Sequence, residues 1–140
     1  MIREYPTPHE PYDGSVEDSP IVKLWYAILA EALKQHGERI HVAPGTAAGA
    51  YMVRLSRDGA WEEMITPPAP MYPAFMQRLK VMADLSLVNR IPLEEGVFRL
   101  RVGSLLYDLK VTKRIRPDDG LEEAMIELPN APVQTVSSRD

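Results

Sequence analysis

Cysteine is absent from the 140 residues. That removes disulfides, thiolate metal sites and cysteine nucleophiles together, and it suits a reducing compartment, the cytoplasm by default. Long apolar runs are missing too: the longest, Leu24 to Leu33, is interrupted by Glu31 and falls short of the roughly 20 residues a membrane-spanning helix needs. Residues 1–18 hold no stretch resembling the apolar core of a secretory signal. No block of Lys or Arg occurs, and 16 basic against 20 acidic residues give a net charge of −4. This balance argues against a nucleic-acid binder that works by neutralising phosphates. The expectation is a chain that is neither membrane-inserted nor bound to nucleic acid. Its length and 45% apolar content allow one hydrophobic core, not two.

Proline, by contrast, is plentiful. Pro6, Pro8, Pro11 and Gly14 punctuate an acidic leader, so residues 1–18 are expected to form a mobile arm that holds neither helix nor ladder. Ser19 suits a helix N-cap and Pro20 the first helical position, with Glu17 and Asp18 favouring the positive helix end. From there Ile21, Leu24, Trp25, Ile28, Leu29, Ala32 and Leu33 recur at three-and-four spacing, which predicts one packed face. Gly37 is expected to close this helix in the left-handed conformation. Arg39 to Val42 reads as a short strand stopped by Pro44.

Tyr51, Val53 and Leu55 then alternate with Met52, Arg54 and Ser56 as far as Asp58-Gly59, a hairpin turn. Tight pairing across it sets Val53 opposite Met64 and Arg54 opposite Glu63. Beyond Thr66-Pro67-Pro68, the spacing of Tyr72, Phe75, Met76, Leu79, Met82 and Ala83 predicts a second amphipathic helix, with Pro73 in its first turn. Pro92 and Gly96 mark the exit. Val97 to Val102 and Leu105 to Thr112 flank Gly103-Ser104; a two-residue turn there pairs Phe98 with Leu109, Leu100 with Tyr107 and Arg99 with Asp108. Ala124, Ile126 and Leu128 form a last strand that Pro129 ends, and residues 129–140 are expected to be a disordered tail. Helix, three strands, helix, three strands predicts an α+β domain over residues 19–128, with antiparallel strand pairs covered on one face by two helices.

Signals for chemistry are sparse. No stretch joins the glycine spacing of a phosphate-binding loop to its Lys-Ser/Thr, and Gly45 and Gly49 bracket an ordinary loop. His9, His36 and His41 do not stand at the short helical spacing that sets two ligands on one metal. His9 lies in the leader, His36 suits a helix C-terminus, and His41 reads as a half-buried, hydrogen-bonded imidazole. No serine sits in a glycine-flanked nucleophile elbow. The acidic pairs Glu62-Glu63, Glu94-Glu95, Asp118-Asp119 and Glu122-Glu123 are expected as solvated surface, because neighbours on a strand point to opposite faces. Met71, Met76 and Met82 fit a core-facing stripe. Neither a catalytic group, a metal site nor a cofactor site is expected, and the chain reads as a non-enzyme.

Four colinear segments between Ser19 and Leu128 follow a known pattern. Pro20-Ile21-Val22-Lys23-Leu24, running into Glu38-Arg39-Ile40-His41-Val42-Ala43-Pro44, is similar to a helix leading into S-D-I-H-I-E-P. Val53-Arg54-Leu55-Ser56-Arg57-Asp58-Gly59 is similar to V-R-Y-R-I-D-G. The most specific segment, Arg78-Leu79-Lys80-Val81-Met82-Ala83-Asp84-Leu85-Ser86-Leu87, resembles R-I-K-V-M-A-G-L-D-I. Glu94-Glu95-Gly96-Val97, Arg99-Leu100-Arg101-Val102-Gly103 and Tyr107-Asp108-Leu109-Lys110-Val111 resemble Q-D-G-R and the strand pair ending in D-x-R-V-S. Together they resemble the N-terminal module that precedes the motor domain in type II secretion and type IV pilus assembly ATPases.

The resemblance implies a PAS-like sheet with helices. It also implies that arginines of Q-D-G-R and D-x-R-V-S help the module reach nucleotide phosphates held by the motor. Here those positions are Val97 and Lys110, the family's strand Glu is Ala43, and Arg116-Pro117-Asp118-Asp119-Gly120-Leu121-Glu122 replaces P-T-x-x-G-E. Valine has no charge, and lysine lacks arginine's planar fork. With no motor domain in the sequence, ATP hydrolysis by this chain alone is not expected. The resemblance implies a non-catalytic interaction module docking to a secretion or pilus ATPase or to its inner-membrane platform, with Arg54, Arg78, Lys80, Arg99 and Arg101 on predicted polar faces as candidate interaction residues. A homo-oligomer is compatible with it. Two alternatives stay open: a PAS-like small-molecule sensor lined by Trp61, Tyr107 and Phe98, and a module completing a nucleotide site in trans through Arg99 or Arg101.

Overall fold

Helix α1 (Pro20–Lys34) opens the ordered core in a computed structural model that describes residues 3–6, 20–45, 51–87 and 91–135. The expected N-cap, Ser19, lies outside these residues. Trp25, Ile28, Leu29 and Ala32 are buried as the spacing predicts, but Val22 and Tyr26 are buried as well, while Ile21, Leu24 and Leu33 only flank the core. The helix touches both the sheet and the second helix, so its buried stripe is wider and turned from the single-face expectation.

The helix ends differently from the expectation. His36, not Gly37, takes the left-handed conformation at φ 58°. His36 N–H bonds the Leu33 carbonyl and Gly37 N–H the Ala32 carbonyl, the paired closure of a Schellman cap with histidine in the usual glycine place. Gly37 is required for space instead, since a Cβ there would collide with the Leu55 side chain. The same cap closes the second helix α2 (Tyr72–Met82), with Asp84 at φ 59° and the Leu85 N–H bonded to the Lys80 carbonyl. Pro73 lies in the first turn of α2, and Tyr72, Phe75, Met76, Leu79 and Met82 are buried, as their spacing predicts.

Strands β1 (Arg3–Pro6), β2 (Arg39–Pro44), β3 (Tyr51–Arg57), β4 (Ala60–Glu63), β5 (Leu93–Val102), β6 (Leu105–Ile115), β7 (Glu122–Glu127) and β8 (Gln134–Thr135) form one sheet. Its order is β1-β5-β6-β7-β2-β3-β4, and β8 pairs with the start of β6. Both hairpins keep their expected registers: Arg54 faces Glu63, and Phe98, Arg99 and Leu100 face Leu109, Asp108 and Tyr107. Asp58 and Gly59 both have positive φ, the signature of a type I′ turn, whereas Gly103 alone supplies it in the second hairpin.

The second hairpin is longer than expected, and Gly96 lies inside β5 instead of marking a helix exit. The end of α2 packs so closely on it that a Cβ on Gly96 would strike the Ala83 carbonyl oxygen. Strand alternation sends Ile40, Val42, Val53, Leu55, Phe98, Leu100, Leu109, Val111, Ala124 and Ile126 into the core shared with the helices. Trp25 ties the two helices over this core, stacking on Phe75 with ring centroids 4.0 Å apart and donating its indole N–H to the Phe75 carbonyl at 2.8 Å.

Two structured segments lie where an arm and a tail were expected. Residues 3–6 add to β5 in parallel. Pro6 is the last residue of this outer strand, where proline's missing donor does little harm, and Tyr5 meets Phe98 edge to face at 6.1 Å. At the other terminus Gln134 and Thr135 pair with Leu106 and Leu105, beyond the reach of β7, and Val133 N–H bonds the Leu106 carbonyl.

Gly96→Ala should therefore destabilise the fold by about 1–3 kcal/mol, the usual range for overpacking. Urea melts of the two proteins check this; equal midpoints would show that α2 moves aside without strain.

Candidate interaction surfaces

The two helices cover one face of the sheet, and the residues alternating with the core strands make up the other. Arg99 and Arg101 of β5 lie on that open face, but neither stands alone. Arg99 forks onto Asp108, Nε to Oδ1 at 2.7 Å and Nη2 to Oδ2 at 3.1 Å, and this hydrogen bonding holds its guanidinium above the ordinary arginine range. Arg101 pairs with Glu4 of β1 at 2.8 Å. Arg78, on α2, places its guanidinium 5.5 Å from the ring centre of Tyr5. Three of the five candidate residues thus gather around β1, the strand that the proline-rich sequence concealed.

Arg54, on β3, sits four strands from β5, about 19 Å at the usual strand spacing. It belongs to a polar row across β6, β7, β2, β3 and β4. Arg114 donates from Nε to Glu123 Oε1 at 2.6 Å, and the other Glu123 oxygen lies 3.1 Å from His41 Nε2. His41 Nδ1 is 3.1 Å from Arg54 Nη2. Arginine can only donate, so Nδ1 must accept and the proton sits on Nε2, facing the carboxylate. Arg54 and Arg39 flank the Trp61 ring at 5.6 and 5.7 Å. Burial raises the Glu123 carboxyl, but the hydrogen bonds from Arg114 and His41 outweigh it and leave the group below the usual carboxylate range.

Lys80 departs most from the polar-face expectation: its side chain is buried and Nζ bonds Glu122 Oε1 at 2.6 Å. Glu122 also faces Lys113 Nζ at 3.7 Å. Lys113, only 1% exposed, reaches Glu94 at 3.2 Å and the Ile91 carbonyl at 2.8 Å. Two lysines and two glutamates thus balance at the sheet's helix-facing side. Glu94 and Glu122 are not the solvated surface expected of the acidic pairs. Glu122 and Glu123 do point to opposite faces, each to its own partners. The sequence carried a signal for this cluster, since Lys113 continues the inward register of Leu109 and Val111, and a cation in that phase must find buried partners.

Beside Lys80 lies a recess of about 400 Å³ lined by Tyr51, Tyr72, Met76, Leu121 and Glu122 among others. The Tyr72 hydroxyl donates to the Glu122 carbonyl at 3.2 Å. Burial, then the neighbouring Tyr51, Glu122 and Glu123, push its proton affinity up. The trio proposed for a sensor pocket does not converge: Phe98 is in the core, Tyr107 packs against it, and Trp61 lies on the opposite face, 41% exposed. His9 lies outside the described residues. Among the described residues no group of three His, Cys, Asp or Glu side chains is placed to hold a metal ion, and no helix is long and apolar enough to cross a membrane.

A sheet carrying two helices on one side and a charge-paired open face defines an α+β module. The chain belongs to the family described as Type II/IV secretion system protein, which matches residues 14–114. Among its relatives, the type IV pilus assembly ATPase PilB of Myxococcus xanthus is 34% identical over 81% of this chain and 22% of its own length. Type II secretion system protein E of Dickeya dadantii is 30% identical over 80% of this chain and 22% of its own. The chain therefore spans about a fifth of the curated relatives it matches. The crystal structure of the Legionella pneumophila ATPase DotB shares the fold, with a TM-score of 0.56 at 11% identity, over 90% of this chain and 32% of that one.

Lys113→Ala should cost about 3 kcal/mol, because it leaves Glu94 and Glu122 short of a buried cation; an unchanged denaturation midpoint would show the cluster to be idle. Glu123 gives a pH dependence. Its folded carboxyl titrates lower than an unfolded one, so the stability it adds is present above the ordinary glutamate range and lost as pH falls through the folded value. Glu123→Gln should therefore lie below the wild type near neutral pH and converge with it in acid; parallel stability curves would refute this.

Proposed function

We propose that this domain is a non-catalytic, PAS-like docking module that acts on the cytoplasmic side and engages a secretion or pilus motor, or its inner-membrane platform. The observation that carries this is the pair Val97 and Lys110. They stand where the family resemblance puts phosphate-reaching arginines, and they are direct cross-strand partners. Lys110 lies between Glu95 at 3.4 Å and Glu127 at 3.9 Å, so its single charge is already answered and two carboxylates would oppose an approaching phosphate. A scaffold that keeps the family's strands while placing Val97, Glu95 and Glu127 at this point suits protein docking better than nucleotide handling. The same pair weighs against completion of a nucleotide site in trans.

The PAS-like description is supported by the strand order, in which the first strand of the helix-flanked domain pairs with its last, β2 with β7. Arg99 and Arg101 on the open face, with Arg78 beside β1 and Arg54 further along the sheet, form the docking set. Lys80 serves it indirectly by fixing Glu122.

Affinity capture from the native host should recover a secretion or pilus ATPase or its platform protein, identified by mass spectrometry, and Arg99→Glu with Arg101→Glu should weaken capture by about tenfold. Recovery of no such component, or undiminished capture by the double variant, would refute the docking role. Purified chain should release no phosphate from ATP above a blank and leave the captured motor's hydrolysis rate unchanged; measurable turnover would overturn the non-catalytic reading.

A further inference from the structure

The edge strand β4 holds a feature that docking through the arginines does not use. A two-residue turn makes Arg57 and Ala60 a hydrogen-bonded pair, and bonded and non-bonded pairs then alternate. Met64 N–H bonds the Val53 carbonyl at 2.8 Å, in phase with this. Trp61 and Glu63 therefore occupy non-bonded positions, and their N–H and C=O groups point away from β3 toward the sheet's outer edge. Among the described residues β4 pairs with β3 alone, and all four of its residues are exposed.

Side chains on either side of that edge are arranged for a further strand. Ala60 and Glu62 share the helix-facing side with Leu55. Next to them a recess of about 190 Å³ opens between α1 and β4, lined by Ile28, Glu31, Glu62, Met64 and Ile65 among others. It lies where the inward side chains of an added strand would enter. On the opposite side Trp61 is 41% exposed.

Charge selects the occupant. The recess has an apolar floor with Glu31 and Glu62 at its rim; among the described residues Arg57, 3.0 Å from Glu62, is the cation paired with them, and Gln35 donates a neutral hydrogen bond to Glu31. A second copy is unsuited, because β4 paired antiparallel with β4 about Glu62 or about Glu63 sets that glutamate against its own copy, and like charges across a strand pair repel. We infer that β4 is an acceptor edge for an extended segment of another protein in which lysine or arginine alternates with apolar residues. Its backbone pairs with Trp61 and Glu63, its basic side chains lay their aliphatic stems in the recess with their charges at Glu31 and Glu62, and its apolar residues cover Trp61. Arg99, Arg101 and Arg78 lie toward the far end of the sheet, so a test through β4 is independent of them; Arg54, which faces Glu63, is the one residue of the docking set beside this edge.

A blocked octapeptide of alternating valine and lysine, titrated into the whole chain, tests it through tryptophan emission, since Trp25 is fully buried and Trp61 reports the edge. A saturable blue shift is expected, with binding weakened by added salt. The same peptide with glutamate in place of lysine should bind at least about tenfold more weakly. Glu63→Pro removes an outward N–H without touching the β3 ladder and should lower affinity by about tenfold while the far-UV spectrum is kept. Glu62→Lys, which leaves the backbone intact, should do the same. No saturable shift, equal binding of the glutamate peptide, or undiminished binding by Glu62→Lys would overturn the inference.

Discussion

The antiparallel seam between β2 and β7 holds the two halves of the domain in one sheet. Each half is a helix followed by strands that pair mainly with their neighbours in sequence, and neither can bury its apolar face alone. Across the seam Ile40 faces Ile126 and Val42 faces Ala124, all buried, which makes the two apolar faces continuous beneath the helices. On the reverse side the same pairing brings His41 to Glu123, residues 82 apart in the chain. Closing so long a loop costs little more than closing a short one, because the entropy grows only with the logarithm of length.

Burial on one side and water on the other give the domain two kinds of charge. On the open face, pairs such as Arg99 with Asp108 and Arg101 with Glu4 are part-exposed, and solvent screening keeps the contribution of each small. Their value is in specifying register and in keeping the face polar. Lys113 is different. It is enclosed on the helix side, where an unanswered ammonium would be costly, and the structure meets it with Glu94, Glu122 and the Ile91 carbonyl. Lys80 shares Glu122, so a residue from the family-like helix segment is committed to holding the helix against β7.

Membership of the secretion family and the proposed docking role meet at Val97 and Lys110. Family scaffolds preserve strands more readily than the groups that strands present, because the former depend on alternation and turns while the latter depend on single side chains. Here the scaffold carries an uncharged residue and a glutamate-flanked lysine at the two positions where the family resemblance implies arginines. What the sheet presents outward is a group of paired arginines around β1 and, at the opposite end, the edge of β4, the surfaces on which the proposed contacts rest.

The helices and both hairpins were legible in the sequence because their causes are local: three-and-four spacing sets the helical stripe, and a two-residue turn sets the register of everything beyond it, as Arg54 with Glu63 and Arg99 with Asp108 illustrate. Gly37 was located correctly and explained wrongly, since its need comes from Leu55 across the core and not from its own φ. Only the tertiary structure decided that residues 3–6 pair in parallel with β5, that Lys80 is buried, and that Glu122 and Glu123 serve opposite faces. Each of those depends on partners distant in the chain, and alternation tells which residues share a face without telling what that face will meet.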